Sequence, residues 1–162
     1  MMTMLIAAKA LFFTAATIAM WFWVILQVQP LSRRWDRALP AWIAAVGAIA
    51  LIIGTVGVIV CVLMFVARGR GTPALFDAPR QFVAIGPYRY VRNPMYLSAL
   101  AVFAGFGLYA RSLAVLAFAG AWFLFIHAFV LLVEEPGLRR RFGQTYSEYC
   151  RRVPRWLPRL AL

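Results

Sequence analysis

Residues 41–67 read AWIAAVGAIALIIGTVGVIVCVLMFVA, an apolar run without a single charge. As a helix it exceeds the roughly 30 Å hydrocarbon core of a bilayer, so it predicts a tilted membrane span. Gly47, Gly54 and Gly57 lie along it, where the missing side chains let a second helix come close. The composition agrees: 64% of the 162 residues are hydrophobic and 14% charged. That balance describes a helical membrane protein, forming one unit over residues 1–162.

Three more apolar runs flank it, at 4–28, 94–110 and 112–133. The expected fold is therefore all-α and integral to the membrane, with four spans, or three plus a hairpin because 94–110 is short. The run at 4–28 outlasts the apolar region of a signal peptide and reads as an anchor, with Lys9 placed to snorkel. Four crossings put both termini on one side. Lys9, the arginines between 68 and 93 and those after residue 133 gather there, leaving Arg33, Arg34, Arg37 and Arg111 for the other. The positive-inside bias makes the first side cytoplasmic. Short loops and arginine in place of lysine point to a bacterial inner membrane.

The net charge of +12 flanks apolar segments, where it meets anionic headgroups, so nucleic acid is not the expected partner. Cys61 and Cys150 are the two cysteines and have no metal-ligand spacing, which argues against a disulfide or zinc site.

Two polar segments then share the cytoplasmic side. The first, GPYRYVRNPMY at 86–96, is too polar to span and too rigid for a passive linker. Gly86-Pro87 fixes a turn, and Asn93-Pro94 starts a helix with Pro94 early in it. Arg89 and Arg92 are able to clamp a carboxylate or phosphate, and Tyr88, Tyr90 and Tyr96 offer faces to a cation. A basic, aromatic membrane belt is the simpler reading, but a belt needs no such dipeptides.

The second segment opens with Glu134 and Glu135, two of the five acidic residues in the chain. Pro136 begins a new helix and brings Glu135 near its N-terminus, so capping competes with function there. Leu138, Phe142, Tyr146 and Tyr149 form one apolar stripe of an amphipathic interfacial helix over about 136–151. His127, the single histidine, lies seven residues before Glu134 and so on the same helical face. It is either hydrogen-bonded to a neighbouring helix or a proton acceptor. The two segments together would enclose a ligand carrying both signs of charge.

GPYRYVRNPMY followed by EEPGLRRRFGQTYSEYCRRVPRWLP resembles the isoprenylcysteine carboxyl methyltransferase and phospholipid methyltransferase superfamily of membrane enzymes, over residues 72–158. The resemblance implies S-adenosyl-L-methionine as methyl donor, S-adenosyl-L-homocysteine as product, and a membrane lipid or lipid-like methyl acceptor. It implies that Pro87, Tyr88, Arg92, Asn93, Pro94, Tyr96 and Leu97 line the cofactor site, closed by Glu134 and Glu135. Asn93 stands where the family often has histidine, and Glu135 corresponds to its functional acidic residue. FVLLV stands where the carboxyl methyltransferases carry an arginine.

On that likeness Arg92 holds the methionyl carboxylate, and a glutamate holds the ammonium or ribose hydroxyls. Glu135 or His127 takes a proton from an amine acceptor. No metal enters the scheme. Two other classes stay open: an NADPH-dependent enzyme similar to membrane sterol reductases, and a non-catalytic membrane scaffold.

Overall fold

The computed structural model describes residues 2–32, 39–64 and 85–158, with side chains in the first helix at Phe12, 15–17 and onward from 19. The Lys9 side chain, residues 33–38 and residues 65–84 with their arginines lie outside the described residues.

Five helices make up the described chain: α1 Met2–Val28, α2 Ile43–Met64, α3 Pro94–Tyr109, α4 Leu113–Phe129 and α5 Glu135–Arg152. Short 3₁₀ turns occupy Gln29–Ser32 and Gly86–Arg89, and no strand occurs among the described residues. Two of the helical stretches, Ile43–Met64 and Leu113–Arg152, are long and apolar enough to cross a membrane. At 16 residues, α3 is about 24 Å long, short of a full hydrocarbon core.

The packing of α2 follows from its small residues. Gly47, Gly54 and Cys61 recur every seven residues and are all buried. Isoleucines 49, 52, 53 and 59 on the other faces are more than half exposed, as lipid contact requires. Against the small face lies α3, antiparallel. A Cβ on Gly54 would stand 2.7 Å from the Ser98 carbonyl oxygen, and one on Gly105 2.7 Å from the Leu51 nitrogen. Two backbones this close gain dispersion and polar contacts that lipid cannot replace, so the expected role of Gly47, Gly54 and Gly57 holds.

The core lies between α1, α3 and α4. Val115, Ala119, Trp122 and Ile126 of α4 and Val130 just after it follow one another at spacings of three or four and bury one face of the helix. Ile25 and Phe103 meet them, and the Phe103 and Trp122 rings form an edge-on pair 4.9 Å apart. At the end where α3 and α4 join, Arg111 takes a positive φ of 53° and donates to the Leu39 carbonyl oxygen.

The expected break before Pro136 is not there. Instead Val130–Glu134 form a π turn, with the Glu135 N–H bonded to the Val130 oxygen, and the helix runs on into α5. Proline lacks an N–H, and its ring would clash with the carbonyl four residues back; widening the preceding turn relieves both. A π turn adds one residue, about 100° of rotation, so seven residues no longer bring His127 and Glu134 onto one face.

The expected apolar stripe does turn inward, with Tyr146 buried and Leu138, Phe142 and Tyr149 half-buried. Gly143 interrupts it at φ 53° and ψ −126°, a conformation open to glycine. After Arg152 the chain extends through Val153 and folds back over the end of the bundle.

Candidate functional site

The site forms where the start of α3, the Gly86–Arg89 turn, the π turn and the tail after α5 converge. Gly86 has a φ of 55° and lies against Met64 of α2, so the turn seats directly on the end of that helix. Tyr88 is buried with Cys61, Ile85 and Met95. The Pro87 carbonyl accepts from the N–H groups of Tyr90 and Val91, at 3.1 and 3.2 Å. Pro94 begins α3 as expected, and the Leu97 N–H closes its first turn on the Asn93 oxygen at 3.2 Å.

The turn and the glutamate doublet face each other. Arg92 Nη1 donates to Glu135 Oε1 at 2.8 Å, and the Tyr96 hydroxyl donates to Glu134 Oε2 at 2.9 Å. Neither glutamate caps the helix that follows through its side chain. The capping alternative therefore gives way to contacts with α3 and its leading turn.

A third partner, which the sequence reading missed, completes the junction. Arg155 grips the same carboxylate side-on, with Nε donating to Oε1 at 2.7 Å and Nη2 to Oε2 at 3.0 Å. The side chain of Glu135 is 6% exposed, so the two guanidinium groups replace the water it has lost. Glu135 lies beyond the apolar stretch that ends at Val133. Burial raises its pKa, but the Arg155 hydrogen bonds and the charges of Arg92, Arg155 and Arg139 outweigh it and hold the carboxyl below its ordinary range.

The tail also docks by its backbone. The Arg92 N–H donates to the Pro154 oxygen at 2.8 Å, and Asn93 Nδ2 to the Arg155 oxygen at 3.3 Å. Trp156 Nε1 donates to His127 Nδ1 at 2.9 Å, with the indole edge-on to Phe123. A nitrogen that accepts this bond is unprotonated and already engaged, so His127 anchors the tail through it. The Pro-Arg-Trp order after Val153 was the available signal for this strap, but only the return of the chain gives it a partner.

A cavity of about 360 Å³ opens beside the junction, lined by Arg92, Arg139, Ser147, Cys150, Arg151 and Arg155. Its size suits a small ligand. Arg92 Nη1 is shared between Glu135 and Cys150 Sγ, the latter at 3.0 Å. Its Nε is buried and has no hydrogen-bond partner among the described residues. The Nε–Nη2 edge of a guanidinium fits the two oxygens of a carboxylate, so the residues present suit the acidic end of an amino-acid-bearing nucleoside.

Of the expected site residues, Arg92, Asn93, Tyr96, Glu134 and Glu135 make polar contacts across the junction. Tyr88 reaches it through its backbone, and Pro87, Pro94 and Leu97 shape the turn. Arg89 and Tyr90 are exposed.

A membrane protein with a buried arginine–carboxylate junction and an arginine-lined cavity at one end of its helices is the class this architecture defines. The chain belongs to the phospholipid methyltransferase family, whose model matches residues 42–145. It is similar to the cobalt-zinc-cadmium resistance protein CzcN of Cupriavidus metallidurans, 31% identical over 133 residues, which are 80% of this chain and 56% of that protein. The nickel-cobalt-cadmium resistance protein NccN of Alcaligenes xylosoxydans xylosoxydans is 29% identical over the same shares of the two chains. The chain thus spans little more than half the length of these relatives.

Proposed function

We propose that this protein is an S-adenosyl-L-methionine-dependent membrane methyltransferase acting on a lipid-like or amphipathic acceptor, with both termini and the site on the cytoplasmic face of a bacterial inner membrane. Four crossings, counting α1 and the short α3 as spans, give that orientation through the positive-inside bias. The observation that carries the reading is the meeting of the 86–96 turn with the glutamate doublet beside a cavity that Arg92 lines.

In this reading the donor supplies an electrophilic methyl group on a sulfonium, which the acceptor displaces in line. The protein's share is orientation and exclusion of water. Arg92 receives the carboxylate of the donor on its Nε–Nη2 edge. Glu134, with one oxygen taken by Tyr96, is the carboxylate left for the ammonium or the ribose hydroxyls.

Glu135 acts as an organiser rather than a base, because two guanidinium groups occupy it. His127 Nδ1 is taken by Trp156, so an amine acceptor would pass its proton to Glu134. The relatives are named for metal resistance. In this reading any link between that resistance and this chain runs through the methylated product.

The test is to incubate membranes containing the protein with radiolabelled S-adenosyl-L-methionine and extract products by class. Label in a lipid or amphipathic fraction, lost in Arg92→Ala, is the expected result. NADPH binding without methyl transfer would move the protein to the reductase class, and no label with no binding would leave the scaffold.

A further inference from the structure

Resting on the reading of Arg92 as the clamp for the ligand's carboxylate, we propose that Arg155, with its Nε and Nη2 both on Glu135, is its positioning residue, orienting Arg92 through that carboxylate. The geometry makes this a relay with a defined direction. Arg155 fixes both oxygens of Glu135, at 2.7 and 3.0 Å, so the carboxylate has no freedom to rotate. The fixed Oε1 holds Arg92 Nη1 at 2.8 Å, and that bond sets the plane of the Arg92 guanidinium. What remains for a ligand is the opposite edge, whose Nε is buried without a partner among the described residues.

Arg155 is itself held by the segment it serves. Its carbonyl receives Asn93 Nδ2, and the preceding carbonyl receives the Arg92 N–H. Trp156, pinned to His127, anchors the far side. A residue that merely filled surface charge would need none of these constraints. Arg155 is also the more exposed of the two arginines, at 26% of its side chain against 12%, and it lines the cavity beside Arg92.

The charges around Glu135 give the proposal a signature in pH. Facing it are Arg92 from the turn, Arg155 from the tail and Arg139 and Tyr146 from α5, with Glu134 beside it and Cys150 on Arg92. Removing Arg155 leaves Glu135 to protonate at higher pH as acid is added, which releases Arg92.

The experiment uses the full-length protein in detergent and measures binding of S-adenosyl-L-homocysteine and of 5′-methylthioadenosine, which lacks the amino-acid end, between pH 4 and 8. Wild type is expected to prefer the former, and Arg92→Ala to lose that preference. Arg155→Ala is expected to weaken S-adenosyl-L-homocysteine by about tenfold or more at neutral pH and to move the acid limb of binding upward by about one unit. Arg155→Lys keeps a cation near Glu135 and should hold the acid limb close to wild type; it also serves as the folded comparator, checked by circular dichroism. An Arg155→Ala protein with wild-type affinity overturns the proposal, and so does one weakened equally at every pH. If wild type does not distinguish the two ligands, the Arg92 reading falls and the inference with it. If wild type and Arg92→Ala behave as expected but the acid limb of Arg155→Ala stays put, the inference alone falls.

Discussion

The Tyr149 hydroxyl donates to the Tyr88 carbonyl oxygen at 2.7 Å, tying α5 to the turn that carries Arg92. Burial, the largest influence, pushes the Tyr149 hydroxyl well above its ordinary range, so it stays a donor at any physiological pH. Tyr149→Phe removes the hydroxyl that makes this bond. We expect a loss of about 1 kcal/mol, read as a lower thermal midpoint in detergent, and weaker S-adenosyl-L-homocysteine binding from a looser turn.

Glu135 makes stability depend on acid. Its folded pKa is depressed, so its contribution is complete above the ordinary carboxylate range and lost as pH falls through the folded value. The melting temperature should therefore fall between about pH 4 and lower values. In Glu135→Gln it should start lower, by an amount corresponding to about 3 kcal/mol for two stranded guanidinium groups, and change less with pH. Equal pH dependence in the two proteins would contradict the junction.

The α2–α3 contact separates close packing from mere hydrophobicity. Gly54→Leu must displace the Ser98 backbone and should cost ~1–3 kcal/mol or more, seen as loss of folded protein on size-exclusion chromatography. Gly120 has nothing within 4 Å of where a Cβ would stand, so Gly120→Ala should be neutral or stabilising by up to about 1 kcal/mol.

The two thiols report on the cavity. Cys61 is fully buried, whereas Cys150 lines the arginine-rich cavity beside Arg92. Maleimide labelling of folded protein should fall on Cys150 and slow when S-adenosyl-L-homocysteine is added. Labelling that ignores the ligand would place binding elsewhere.

His127 and Trp156 test the tail. Trp156→Phe keeps an aromatic ring beside Phe123 but removes the donor to His127. Loss of that bond should leave the strap more open to limited proteolysis after Arg152, with a stability change of about 1 kcal/mol. A wild-type cleavage pattern would mean that the backbone bonds of Pro154 and Arg155 suffice.

The uncharged run at 41–67 and its small residues determined by themselves that α2 is a lipid-facing helix with one close-packing side. Composition of that kind leaves no other way to satisfy the backbone inside a bilayer. The dipeptides Gly86-Pro87 and Asn93-Pro94 likewise marked the turn and the start of α3, because their backbone preferences are local. What faces what was not local. Only the tertiary structure decided that Arg155 shares Glu135 with Arg92, that Trp156 occupies His127, and that a π turn before Pro136 rotates the glutamates towards the 86–96 turn. Those outcomes depend on the return path of the chain and on one extra residue in a helical turn, and helical periodicity carries neither.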